Sequence, residues 1–214
     1  MEVNGYEIEP GADLMSADLA NADLRGAKLS GANLSFADLT SADLSKADLS
    51  KADLSEAIFH HANLSGANLT KAYCENQIIE NPDEGLTYDA EIKKEYADYE
   101  YDEELRLARQ EGLPTPERIE KKEMYGDMCY ANLTAANLTG AFFMFMNLSS
   151  ANLTGAILIN TNLYGAVLTD ADLTDADLTG AYLADADLTG ANLTRTILTN
   201  ANLIGTKMPS GWSR

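Results

Sequence analysis

Large apolar residues recur at every fifth position along two stretches of the chain. Leu14, Leu19, Leu24 and Leu29 open a series that passes through Phe59 and ends at Leu69; Leu133, Leu138, Phe143 and Leu148 open another that runs to Leu203 and Met208. A small residue, usually Ala, stands two places before each, and polar residues fill most of the rest. An α-helix cannot bury this set. Five residues advance about 500°, so successive leucines land about 140° apart and circle the axis. A flat strand fails as well, because its side chains alternate with period two and an odd spacing sends successive leucines to opposite faces.

One geometry works. Within each A-[DN]-L triplet the Ala and Leu point the same way, as residues two apart on a strand do. If the following two residues turn a corner of about 90°, four repeats close one coil and every Ala and Leu lies inside. Coils then stack with strand spacing, about 4.8 Å. The twenty-eight repeats in the two stretches give about seven coils. The expected fold is an all-β solenoid, a quadrilateral β-helix. Ala beside Leu suits close packing of a narrow interior, and Ser, Thr, Asn and Asp suit corners because their side chains bond nearby backbone.

The blocks A-D-L-S-K (42–46), A-N-L-T-G (136–140) and A-D-L-T-D (171–175) resemble the pentapeptide-repeat family, whose consensus is A-[DN]-L-x-x. The resemblance covers both stretches. It implies that the β-helix is right-handed, with the Leu and Ala columns inside.

The pattern divides the chain into an N-terminal cap (1–11), a first repeat block (12–74), an insertion (75–127), a second block (128–208) and a C-terminal cap (209–214). The insertion changes composition, gaining Pro82, Gly85, Gly112, Pro114 and Pro116 and the tyrosines Tyr88, Tyr96, Tyr99, Tyr101 and Tyr125. Residues 89–111 read as a helix with Ile92, Tyr96, Tyr99 and Leu107 on one approximate face, stopped by Gly112 and Pro114. A second short helix starts at Thr115 and Pro116 and runs to about Met124. The alternative is a mostly mobile acidic loop. At the other end, Met208 plugs the core and Trp212 folds across it; an end-to-end dimer through this face is the alternative to a monomer.

Net charge is −19. The insertion contributes −10 of it, residues 1–74 contribute −6 and residues 128–214 only −3. A protein that grips phosphates needs a basic surface, so direct nucleic-acid binding is excluded. No uninterrupted apolar run approaches a membrane span, and the acidic start has no apolar signal core, so a cytoplasmic location is expected. Catalysis finds no support. His60 and His61 are the only histidines, adjacent and outward, with no third ligand placed for a metal, and no cofactor motif is present. The Asp residues before each Leu form an outward, solvated ladder.

Two features remain as candidate contacts. In the run 141–146 only Phe143 and Met146 point inward, so Phe142, Met144 and Phe145 form an outward apolar cluster. Either the insertion covers it through Tyr96 and Tyr99, or it meets a partner or second copy. Cys74 and Cys129 flank the insertion, whose two ends must return near each other; they are either two reduced thiols or a disulfide clamping the stem. The leading functional expectation is a non-catalytic interaction or scaffold protein with an unknown protein partner. Cyanobacterial members that the chain resembles mostly lack a known biochemical role. Other relatives protect or inhibit DNA gyrase, mimicking duplex DNA with an acidic rod, and that is the competing reading.

Overall fold

The computed structural model describes residues 1–74 and 126–212. Within them the triplet centres pair in parallel with the centre one coil on: Asp13 with Asn33, Asp18 with Asp38, Asp23 with Asp43, Lys28 with Asp48, and so on to Asp187 with Lys207. Four columns of such pairs make four walls. The first wall runs from Asp13 through Tyr73 and Phe142 to Asn202. The second runs from Asp18 through Ile58 and Asp127 to Lys207, the third from Asp23 to Asn192 and the fourth from Lys28 to Ile197. This is the quadrilateral β-helix that the five-residue period requires.

Backbone hydrogen bonds account for four of the five amides in a typical repeat. Leu44 donates to Asn63 O one coil ahead at 2.8 Å, and Asp43 to Ala22 O one coil behind at 2.9 Å. Lys46 donates to Ser65 O at 3.0 Å, while Ala47 closes the corner onto Leu44 O at 2.9 Å. The last residue of each corner sits in the left-handed region, as Lys46 does at φ 60°. That conformation, unusual for residues other than Gly, swings the chain from one wall to the next.

Inside, the Leu column is fully buried from Leu19 to Leu183, and Ala fills the gaps between. Each buried Leu contributes about 1.5–3 kcal/mol. Exceptions come in compensating pairs. Bulky Phe143 lies one coil above the smaller Cys74, whose Sγ donates to Leu54 O at 3.4 Å. Thr161, Thr196 and Thr206 replace Ala, and each hydroxyl donates at 2.7 Å to a Leu carbonyl of the coil below.

The repeat resumes earlier than its consensus suggests. Asp127, placed by pattern at the end of the insertion, pairs with Ile58, and Gly126-Asp127-Met128 forms a complete inward triplet with Gly for Ala and Met for Leu. The chain leaves the first wall after Cys74 and is back on the second wall at Gly126, so residues 75–125 interrupt the corner between those two walls. The helices expected over 89–111 and 115–124 lie outside the described residues, and among the described residues there is no helix.

At the N-terminus β1 (Glu2–Val3) and β2 (Tyr6–Glu7) form an antiparallel hairpin. Asn4 and Gly5 turn it with φ of 53° and 85°, the signature of a tight hairpin loop. Val3 and Tyr6 pack on the core and Ile8 is buried beneath them. The Tyr6 hydroxyl accepts the Asp18 amide at 3.2 Å, tying the hairpin to the second wall. At the opposite end Leu193, Leu198, Leu203, Met208 and Trp212 are only half-buried.

Candidate functional site

The interior is filled, so among the described residues recognition falls to the walls and corners. Their chemistry depends on what the triplet centres do. The Asp or Asn before Leu turns its Oδ1 back to accept the amide two residues on, as Asp43 does from Ser45 at 3.0 Å and Asn132 from Thr134 at 3.1 Å. This is the fifth amide of the repeat. Where Asn lies above Asp, its Nδ2 also donates down the wall: Asn63 to Asp43 and Asn68 to Asp48, both at 3.0 Å. The ladder read from sequence as a solvated face is thus a set of half-buried turn acceptors. Burial pushes the Asp48 carboxyl up, but hydrogen bonds from Ser50 and Asn68 outweigh it and hold the acid below its ordinary range. Asp172 is held low chiefly by the Thr174 hydroxyl and amide. A carboxylate so committed to the backbone is unsuited to proton transfer.

The run 142–145 lies around the corner that the insertion interrupts. Phe142 stands on the first wall one coil above Tyr73, and Met144 and Phe145 form the corner. All three are half-buried. Phe145 lies across Gly165 of the next coil: a Cβ on Gly165 would sit 2.6 Å from Phe145 Cε1. Its ring meets Tyr164 edge-on at 5.3 Å, and Tyr164 meets Tyr182 at 6.0 Å. The structure therefore extends this cluster along the stack to Tyr164 and Tyr182. Tyr96 and Tyr99 lie outside the described residues.

Cys74 occupies the Leu column of the first wall and points into the core, whereas Cys129 sits on the corner between the second and third walls, and no disulfide joins them. The chain resumes at Gly126 in the same coil, on the next wall. Burial, then the Asp127 carboxylate, pushes the Cys129 thiol up, which keeps it protonated and a poor nucleophile.

His60, His61 and Tyr130 share that second corner. The two imidazoles stack at 4.5 Å and 10°, and Tyr130 lies 5.1 Å from His61. Ring-nitrogen lone pairs lie in the ring plane, so parallel rings aim them side by side and not at one ion. Among the described residues no group of three or more His, Cys, Asp or Glu is placed to hold a metal ion. No helix there is long and apolar enough to cross a membrane.

In the first block acids stand on all four walls, while the bases gather on and around the fourth. Lys28 is on the fourth wall, Lys46 on the corner before it, and Lys51 and Lys71 on the corner after it. Asp13 and Asp53 stand on the first wall and Asp18 and Asp38 on the second. Arg25 pairs with Asp23 at 2.6 Å, Lys207 with Asp187 at 3.1 Å, and Arg195 grips Asp175 with two bonds. These pairs are exposed and each contributes little to stability.

The family model of pentapeptide repeats matches in 8 copies, over residues 10–31, 32–70, 127–163, 147–183 and 176–209. Among solved structures, HetL from Nostoc sp. strain PCC 7120, a pentapeptide repeat protein involved in heterocyst differentiation regulation, is 31% identical. That match covers 94% of this chain and 87% of HetL, with a TM-score of 0.29. Rfr23 from Cyanothece 51142 is 37% identical over 39% of this chain, which spans only 57% of that protein, with a TM-score of 0.38. Full-length QnrB1, a plasmid-mediated fluoroquinolone resistance protein, is 19% identical over 88% of this chain and 80% of its own, at a TM-score of 0.34. No curated protein matches. The family fold is the right-handed quadrilateral β-helix, with apolar columns inside and three outward positions per repeat. Matched over most of its length by the repeat model, the chain belongs to the pentapeptide repeat family.

Proposed function

We propose that this protein is a non-catalytic interaction module or scaffold, a stack of about seven coils that presents its walls and a helical insertion to a protein partner. The observation that carries this reading is the filled interior: among the described residues the Leu and Ala columns leave no cavity inside the coils in which a substrate could be desolvated. Outside, the acids are tied into turns and the exposed histidines do not converge. A groove beside the hairpin, lined by Glu2, Arg25 and Lys46 among others, is open to solvent.

The competing reading, a duplex-DNA mimic acting on gyrase, needs continuous negative charge along a face. Asn occupies many triplet centres of the second block, and the fourth wall of the first block is bordered by lysines, so the charge is broken. Capture from native lysate tests the proposal, comparing the intact chain with one whose residues 78–125 are replaced by a short Gly/Ser link. A specific protein retained by the intact chain is expected; none retained by either form would sink the reading. Inhibition or protection of gyrase in a supercoiling assay would favour the mimic instead.

A further inference from the structure

Reading the corners every twentieth residue separates them sharply. In the first block, three of the four carry Ser, Thr, Gly, Lys, Asn, Ala, Arg and His. The corner between the first and second walls carries Met15 and Phe36, which are 58% and 51% exposed. Ladder bonds place them on successive coils: Ser16 donates to Ser35 O at 2.8 Å, and Phe36 to Ser55 O at 2.9 Å. Folding gives no reason for this choice. Phe36 holds the left-handed position at φ 60°, where Gly would be less strained, and leaves about half its surface in water.

The surroundings of this pair are one-sided in charge. Asp13 and Asp53 flank it on the first wall, Asp18 and Asp38 on the second, and Glu56 holds the same corner one coil on. Neither wall carries a Lys or Arg at a triplet centre in these coils; Lys28 and Lys46 lie on the fourth wall and the corner before it, and Lys51 on the far edge of the first wall, at its corner with the fourth. An apolar pair set among carboxylates is complementary to cations interleaved with large apolar side chains.

We propose that the Met15–Phe36 corner is the docking site for a basic, amphipathic protein segment whose apolar side chains pack on Met15 and Phe36 while its Lys or Arg residues meet Asp13, Asp18, Asp38 and Glu56. This rests on the interaction-module reading and gives it a location and a partner chemistry.

The test uses the purified full chain and a fluorescent Lys/Leu amphipathic helical peptide as probe. Met15→Ser with Phe36→Ser leaves net charge unchanged and removes two apolar side chains that are each about half exposed. Asp13→Asn with Asp18→Asn and Asp38→Asn removes charge but keeps each oxygen that accepts an amide. Asp170→Asn with Asp172→Asn and Asp177→Asn removes equal charge from the second block. Each of the first two variants is expected to weaken peptide binding about tenfold, which for the Ser variant matches two side chains that are each only partly covered by the peptide, and the third by less than about threefold. Unchanged affinity in the Ser variant, or equal loss in both Asn variants, would overturn the site, since general attraction to an acidic protein then explains the binding. The lysate capture keeps the two proposals apart. A partner still retained by a Ser variant with undiminished peptide affinity removes the corner alone; absence of any partner removes the scaffold reading.

Discussion

The amide after each Leu has no backbone acceptor, and this explains why Asp or Asn precedes so many leucines. At Asn137 one side-chain oxygen accepts both the Thr139 amide, at 3.1 Å, and the Thr139 hydroxyl, at 2.7 Å. Asn137→Ala should cost about 1–2 kcal/mol in urea unfolding, while Asn137→Asp, which keeps the acceptor, should stay within about 0.5 kcal/mol. Equal losses would show that the amide finds water instead. Charge adds a pH dependence. Asp172 has a folded pKa below its ordinary value, so its stabilisation is complete above about pH 4 and fades as pH falls through the folded value. Asp172→Asn should therefore lose less melting temperature than the intact chain between neutral pH and pH 3; parallel losses would contradict it. The sequence displayed the Asp/Asn column plainly, but not its role. Periodicity reveals which way a residue faces, not which amide lacks a partner.

At the scale of one coil, substitutions balance along a column, and this is where consensus reading failed. Gly126 replaces Ala because Met146, one coil above in the same column, needs its space: a Cβ on Gly126 would lie 3.0 Å from Met146 Cε and 3.1 Å from Sδ. Gly126 and Met128 hide their triplet from a consensus search, but with Met146 the glycine completes one packing unit. Gly126→Ala should destabilise by about 1–3 kcal/mol through overpacking, and Met146→Ala by about 2–5 kcal/mol through the void it leaves. Together they should cost less than the sum, because each relieves the other; strict additivity would show that they do not share that volume. The corners obey a similar rule. Asn160 leans over Gly180, Asp170 over Gly190 and Asp185 over Gly205, so a side chain in the left-handed position is often followed twenty residues later by Gly. That signal was legible at a spacing of twenty, and the same spacing would have exposed Met15 and Phe36 on one corner. At a spacing of five the outward apolar residues that stand out, Phe142, Met144 and Phe145 first among them, all belong to the second block. For Cys74 and Cys129 the repeat positions, one inward and one on a corner, favour two separate thiols over a clamp, although the chain ends between them lie close.

For the stack as a whole, each coil is supported by its neighbours, so stability should vary along it in one dimension. The coil beneath the N-terminal hairpin is closed, with Ile8 and Leu14 buried. The last coil has cover on one side only: Leu193, Leu198, Leu203 and Met208 are half-buried, and the leucine amides from Leu193 onward have no ladder acceptor ahead of them. Fewer apolar contacts and unpaired amides mark a segment that opens at lower free energy than the middle of the stack. Trp212 is the only tryptophan, and it sits in the turn closing that coil, its amide on Pro209 O at 3.2 Å. Its fluorescence therefore reports the last coil, while far-UV circular dichroism reports the whole ladder. In a urea titration the fluorescence midpoint should precede the dichroism midpoint, and hydrogen exchange should run faster at Leu198 and Leu203 than at Leu158 and Leu163. Gly205→Ala should widen the gap, because its Cβ would meet the Asp185 side chain and φ of 69° is strained for any residue with a Cβ. Coincident midpoints in the intact chain would mean that the coils unfold as one cooperative unit and that the half-buried end is as firmly held as the centre.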